Sequence, residues 1–209
     1  IRYGRFLGTI MIYLHSKALQ NINKIVFVSN AVRLNIVDCG LSHKKIFVVG
    51  NSLPDNLIEN SSYFLKKILT KSCKKNFIYV GHVDKLKNVL FLMNSWKVVS
   101  SLVDNFYILG GIDSKINFNN VDNHNVHFVG YVKDTASYYL DSNYYISASF
   151  TEGHPNSVIE ALYFGCVCVL SDIAPHREIY NNFPEAVVLF QNNCVISLKK
   201  AIDKSFLLE

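Results

Sequence analysis

The sequence predicts an α/β protein built on a parallel sheet, and three observations carry that prediction. Short runs of β-branched and aromatic residues recur along the chain, they are apolar almost continuously, and most are separated by stretches with helical spacing. Strands apolar on both faces belong in a sheet covered on both sides. Alternation of strand and helix joins such strands in parallel.

The expected strands are residues 24–29, 45–49, 76–80, 105–109, 125–129, 143–147, 167–170 and 186–190. The expected helices include 86–102, 134–140, 155–164 and 194–208, with a short further helix around Arg177, Glu178 and Ile179. The strands from Asn76 onward suffice for one complete Rossmann-like domain. Before them lie a helix, a strand, a helix ended by Gly40 and one more strand. A polar turn follows, from Gly50 through Pro54 to Asn56, and reads as a passage between domains. The expected division is therefore residues 1–53, too few for a sheet of their own, and residues 54–209. Residues 113–124 read as a polar loop. The chain opens on Ile1 rather than Met, which predicts a piece of a longer protein.

Composition narrows the function classes. Half of the 209 residues are hydrophobic and 18 % are charged, which is ordinary for a globular domain. The net charge of +5 tolerates a phosphate-bearing ligand or an anionic membrane surface, but no Lys/Arg block of nucleic-acid type is present. The apolar stretch at residues 6–14 is far short of the ~20 residues that cross a bilayer. Cys39, Cys73, Cys166, Cys168 and Cys194 form no CxxC pair and read as small core residues in a reducing cytosol. The histidines at 15, 43, 124, 127 and 176 are too dispersed for a metal site, and Trp96 and the tyrosines read as packing residues. Walker A, GxGxxG, zinc and catalytic-triad patterns are absent from the sequence.

The most informative segment runs from Ser147 to Leu162, SASFTEGHPNSVIEAL. A strand ends near Ser147, a loop carries Glu152 and Gly153, and a helix starts with Pro155 in its first turn. A helix N-terminus then lies at the carboxyl edge of a parallel sheet, where open α/β folds bind ligands. Backbone N–H groups of His154, Asn156 and Ser157 could meet phosphate oxygens there, and Gly153 permits close approach. Glu160 lies either on the solvent face of the helix or half-buried, ready to accept hydrogen bonds from hydroxyls. A second segment, FIYVGHVDKLKN from Phe77 to Asn88, places Gly81, His82 and Lys87 in a strand-to-helix loop. Lys87 there is either a solvated loop lysine or a cation for a phosphate group.

Together these segments resemble glycosyltransferase family 4, the retaining glycosyl transferases group 1 type with the two-domain GT-B fold. The resemblance rests on Glu152 and Glu160 at the spacing of its EX7E motif, the EG-x-PN loop, the EAL helix and Gly165. It continues through Ser171-Asp172 to Arg177-Glu178-Ile179. Lys87-Asn88 falls where the family has Lys-Gly or Lys-Asn, while His82 stands where an arginine is usual. Phe106–Gly111 and Val126–Val132 resemble its next two strand-and-turn units, so the likeness covers about residues 20–190.

The resemblance implies that residues 54–209 are the donor-nucleotide-binding half and residues 1–53 the tail of the acceptor-side domain. It implies transfer of a sugar from a UDP- or GDP-linked donor to an acceptor hydroxyl with retention, without metal or any cofactor beyond the donor. Glu160 is expected on the ribose, Glu152 on the transferred sugar, and Lys87 with His82 on the pyrophosphate. The backbone of Tyr131 and Val132 is expected on the base. The acceptor would be a sugar or a lipid-linked sugar in bacterial surface polysaccharide or glycolipid synthesis. That places the protein in the cytoplasm, with peripheral association at the inner face of the membrane. The alternatives are a non-catalytic nucleotide-sugar-binding remnant, and a sugar-nucleotide epimerase or phosphorylase on the same fold. A nicotinamide oxidoreductase is disfavoured because no glycine fingerprint follows a first strand.

Overall fold

The computed structural model describes residues 9–11, 13, 14, 17, 18, 22–37, 45–53, 74–118 and 124–208. The expected cap at Gly40, the later part of the polar turn, and Cys39 and Cys73 lie outside the described residues. The chain divides into two compact units, Ile1–Asn51 and Ser52–Glu209.

In the first unit, β1 (Lys24–Phe27) and β2 (Lys45–Val48) pair in parallel, with Lys24 opposite Lys45 and Phe27 opposite Val48. Helix α1 (Asn30–Val37) joins this pair in sequence. Ser29 begins the helix by accepting the Val32 N–H on its Oγ at 3.1 Å, the usual role of a serine before a first turn. Ile25 and Phe27 are buried and pack with Val32 and Ile46.

The second unit is a six-stranded parallel sheet of β3 (Asn76–Val80), β4 (Asn105–Leu109), β5 (Val126–Gly130), β6 (Tyr144–Ser147), β7 (Val167–Ser171) and β8 (Val187–Phe190). Its spatial order is β5-β4-β3-β6-β7-β8. The chain starts in the middle, builds outward to β5, then returns to build the other half from β6. This is the doubly wound 3-2-1-4-5-6 arrangement, and the order reverses between β3 and β6.

Alternation along β3 explains the two cores. Phe77 and Tyr79 point to one face, where α2 (Val89–Val99) and α6 (Val195–Ser205) cover the sheet. Ile78 points to the other, where α3 (Ala136–Leu140), α4 (Asn156–Tyr163) and α5 (Ala174–Asn182) lie. Phe77 stacks on its register partner Tyr144 at 4.8 Å between ring centroids, and Trp96 stacks on Phe106 at 4.3 Å. Cys166 and Cys168 are buried on the α3–α5 face as expected. Cys194 is a correction to the core-cysteine reading, because it is the half-buried residue before α6.

Helix limits differ from expectation where local chemistry ends them. The run expected over 86–102 begins only at Val89, because Asn88 takes a left-handed backbone with φ 54°. It closes in a 3₁₀ turn at Ser100–Leu102. Pro155 precedes the first turn of α4 rather than entering it. Past the strand ends the backbone stays in parallel pairing, with Gly81 N–H on Leu109 O at 2.9 Å and Gly110 N–H on Gly130 O at 2.7 Å. A side chain at Gly110 would place its Cβ 2.1 Å from the Gly81 carbonyl oxygen, so only glycine permits this close approach.

Candidate functional site at the sheet switch point

The crevice beyond β3 and β6 is where an open α/β sheet offers space between loops that diverge to opposite faces. The β3–α2 loop supplies a cation. Asp84 Oδ1 accepts the N–H groups of Leu86 at 2.8 Å and Lys87 at 2.9 Å, an Asx turn that fixes Lys87. The β6–α4 loop supplies an anion. Lys87 Nζ donates to Glu152 Oε1 at 2.6 Å and Oε2 at 2.7 Å. The Lys87 side chain is 30 % exposed and that of Glu152 11 %, so this pair is well shielded from water. The two loops are also joined through backbone, with Phe150 N–H on Leu86 O at 2.8 Å.

Buried hydroxyls set the carboxylate. Ser149 Oγ donates to Glu152 Oε1 at 2.7 Å and lies 3.1 Å from Ser147 Oγ. The Ser149 carbonyl accepts from Ser171 Oγ at 2.7 Å and from the Asn192 amide at 3.0 Å. Ser171 in turn lies against His176, whose Nδ1 is 2.8 Å from the Ser171 carbonyl. That short contact to an acceptor requires the proton on Nδ1. Nε2 of the same ring is buried without a hydrogen-bond partner. Burial holds the imidazole below its ordinary pKa, and Lys87 acts in the same direction, while the Ser171 carbonyl and Glu152 oppose it.

Helix α4 begins at the same crevice, with Pro155, whose side chain has no polar atom, at its N-cap. Its N-terminal end presents the positive end of the helix dipole there. Gly153, His154 and Ser157 are partly buried and Asn156 is exposed. Ser157 Oγ lies 2.9 Å from the Tyr145 hydroxyl. Glu160 is partly buried, which resolves the two readings of its face. Its Oε2 accepts from Tyr139 Oη at 3.2 Å, and the same hydroxyl lies 3.1 Å from Ser157 O. Burial raises the Glu160 pKa, and the Tyr139 hydrogen bond works against that rise.

On the β3 side, Tyr79 Oη donates to the His82 carbonyl at 3.1 Å, which fixes the turn at Gly81 and His82. The exposed His82 ring packs over Gly111, where a Cβ would stand 3.2 Å from His82 Nδ1. Tyr131 and Val132 follow β5 at the far side of the same carboxyl edge, Tyr131 83 % exposed and Val132 partly buried. The fold thus brings Lys87, Glu152 and the start of α4 to one crevice, with β4 between β3 and the strand that leads to Tyr131.

Sequence reasoning assigned no role to Ser149, Ser171, His176, Asn192, Tyr79, Tyr139 or Tyr145. Their signal was faint but physical: hydroxyls at the carboxyl ends of otherwise apolar strands need partners once buried. Reading His176 as bland followed from its isolation in sequence, which the fold removes.

These features define a doubly wound α/β domain with a charged site at its topological switch point. Residues 74–206 match the glycosyl transferases group 1 family, and the chain belongs to it. The capsular polysaccharide biosynthesis glycosyltransferase CapH of Staphylococcus aureus is 26 % identical over 194 residues, covering 87 % of this chain and 52 % of CapH. An uncharacterized glycosyltransferase of Haemophilus influenzae is 28 % identical over 145 residues, covering 66 % of this chain and 41 % of that protein. The chain spans about half the length of the curated relatives it matches. Among solved structures, sucrose-phosphate synthase from Thermosynechococcus elongatus superposes with a TM-score of 0.74 at 16 % identity, over 93 % of this chain and 52 % of that one. Anabaena HepE, determined with UDP and glucose, gives 0.67 at 13 % identity, over 90 % and 55 %. The fold is that of GT-B glycosyltransferases. No helix among the described residues is long and apolar enough to cross a membrane.

Proposed function

We propose that this chain is the donor-binding part of a retaining glycosyltransferase that moves a sugar from a nucleoside-diphosphate sugar to an acceptor hydroxyl without a metal ion. The observation that carries the reading is the Lys87–Glu152 pair at the switch point, beside the N-terminus of α4. Without ligand, each charge neutralises the other. A pyrophosphate entering the crevice takes Lys87 and the N-terminus of α4, and leaves Glu152, still oriented by Ser149, to accept hydroxyls of the transferred sugar. Glu160, steadied by Tyr139, accepts from the ribose. Gly81 and His82 line the pyrophosphate, and the backbone at Tyr131 and Val132 meets the base.

The chemical step then needs little from a nucleophilic side chain. The acceptor oxygen bonds to the anomeric carbon as the bond to the diphosphate breaks on the same face. The acceptor's proton passes to the departing phosphate. Lys87 and the helix dipole hold the charge that develops on the leaving group. In this reading Glu152, held by Ser149, orients the sugar hydroxyls and is not the attacking group. The HepE complex with UDP and glucose supports a nucleotide-sugar donor, and the likeness to CapH supports a role in bacterial surface polysaccharide assembly. Glycolipid assembly and a place on the cytoplasmic side belong to the same proposal.

The test is thermal melting of the chain and of Glu160→Ala with UDP, GDP, their sugar conjugates and NAD. A ligand at a hundred times its dissociation constant adds about 2.7 kcal/mol, a rise of roughly 5–10 °C for a chain of this size. The expected result is a rise with one nucleoside diphosphate that Glu160→Ala abolishes. A folded chain that responds to nothing removes the donor reading and favours a decayed remnant, and one that responds only to NAD favours a nicotinamide oxidoreductase.

A further inference from the structure

We infer that Asn192 is a positioning residue for the sugar side of the donor site, acting through the Ser149 carbonyl while also holding Asn88 beside Lys87. The inference rests on the donor-site reading above. Asn192 lies in the turn between β8 and α6, 43 residues from Ser149 and 104 from Asn88. Its Nδ2 donates to Ser149 O at 3.0 Å and its Oδ1 accepts from Asn88 Nδ2 at 3.3 Å. One planar amide therefore ties the loop that presents Glu152 to the loop that presents Lys87.

Both attachments are one step from the ion pair. Ser149 Oγ is the hydroxyl on Glu152 Oε1, and Asn88 directly follows Lys87. The second donor to the Ser149 carbonyl, Ser171 Oγ, comes from β7. Ser149 is thus pinned from two neighbouring strand ends. Asn88 carries a left-handed backbone, φ 54°, and so does Asn193 at φ 55°, whose side chain also accepts from Asn88 at 3.1 Å. Asparagine is one of the few non-glycine residues that adopt this backbone readily, so both turns suit their sequence. Asn192 is partly buried and Asn193 exposed, so the turn contributes through its hydrogen bonds more than through core packing. Asparagine suits the task because it offers a donor and an acceptor on one short, rigid group. Aspartate lacks the donor, and serine is too short to span both partners.

The test measures binding of UDP, UDP-glucose, GDP and GDP-mannose to the full chain by calorimetry, for wild type, Glu152→Ala, Asn88→Gly and Asn192→Leu. The readout is the ratio of affinities for the sugar nucleotide and its diphosphate. Glu152→Ala sets the scale of a lost sugar contact. Asn88→Gly keeps the left-handed turn and should weaken both ligands alike. Asn192→Leu, nearly the same shape as asparagine, should lower the ratio roughly two- to tenfold, the worth of one hydrogen bond. Asn192→Ser repeats the test if the leucine variant folds poorly. A general loosening would weaken both ligands together and leave the ratio alone. If Glu152→Ala lowers the ratio and both Asn192 variants leave it unchanged, the inference falls and the donor site stands. If wild type binds none of the four ligands, both fall together.

Discussion

The two edges of the six-stranded sheet use the same kind of residue for opposite purposes. At the amino edge, neutral amides close on one another. Asn105 Nδ2 donates to Asn76 Oδ1 at 2.9 Å, and Asn76 Nδ2 to the Asp141 carbonyl at 2.9 Å. His127 Nε2 lies 2.9 Å from Asn105 Oδ1. Asn125, left-handed at φ 56°, takes the Trp96 indole N–H on its Oδ1 and donates to the carbonyls of Ser100 and Val103. At the carboxyl edge, roughly 16 Å along the strands, the amides of Asn88 and Asn192 brace the two loops of an ion pair, and a buried histidine nitrogen lies nearby without a partner. Satisfied neutral amides fix strand order and register with little electrostatic potential left over. Charges paired with each other can be re-partnered by a ligand. Stability is concentrated at one end of each strand and chemistry at the other.

The comparison breaks most sharply at Asn125. Asn125→Leu removes three side-chain hydrogen bonds at about 1 kcal/mol each, and forces a branched side chain into a left-handed backbone. The expected loss is about 4–5 kcal/mol, or a fall in Tm of roughly 8–20 °C, with nucleotide affinity per folded molecule unchanged. Chemical denaturation and calorimetry on the same preparation separate the two quantities. A variant that keeps its stability but loses nucleotide binding would reverse the assignment of the edges.

Much of this division was legible in the sequence, and what was not has a physical reason. Six strands of the large sheet could be read because each is apolar on both faces, as β7 with Val167, Cys168, Val169 and Leu170 shows. Lys87, Glu152, Gly153 and Glu160 stood out because loop, helix start and acid lie close together along the chain. Asn192 did not, because its partners Ser149 and Asn88 are distant in sequence and only strand order brings them together. His176 did not either, because its bond to Ser171, only five residues away, depends on the turn after β7. Asn88 was visible as part of a motif, but its left-handed turn was not, and so the helix was expected to begin too early. The tyrosines were read as packing, and the rings of Tyr79, Tyr139 and Tyr145 are buried. Their hydroxyl ends, on Glu160, Ser157 and the His82 carbonyl, are what sequence alone does not orient.

Acid should expose the carboxyl edge first. The His176 pKa lies below its ordinary 6.5 in the folded chain because burial disfavours the imidazolium. The unfolded chain then takes up a proton that the folded chain refuses. Stability is therefore present above about pH 6.5 and lost as pH falls toward the lowered folded value, by up to about 1.4 kcal/mol per pH unit. Glu160 acts with the opposite sign. Its raised pKa adds stability below 4.5 that disappears as pH rises through the folded value. Urea titrations at pH 7.5, 6 and 5 should show the decline in wild type and a shallower one in His176→Asn. Equal slopes in the two proteins would mean that the ring is charged in the folded state or is not closed off from water.

The smallest expected effect sharpens the comparison within the carboxyl edge. Tyr139 belongs to the apolar face by its ring, which stacks on Phe164 at 5.4 Å, and to the site by its hydroxyl. Tyr139→Phe keeps the ring and removes only the donor, leaving Glu160 Oε2 and Ser157 O without that partner. Losing one hydrogen bond should cost about 1 kcal/mol of stability. It also removes the contact that opposes the rise in the Glu160 pKa, so that pKa moves further up. The carboxylate then takes up its proton, and becomes a poorer acceptor, at a higher pH than in wild type. Nucleoside-diphosphate affinity should fall roughly two- to fivefold, with its decline on acidification setting in at a higher pH than in wild type. A loss that keeps the wild-type pH dependence would assign Tyr139 to shape alone, and the hydroxyl would then belong with the neutral, closed bonds of the amino edge.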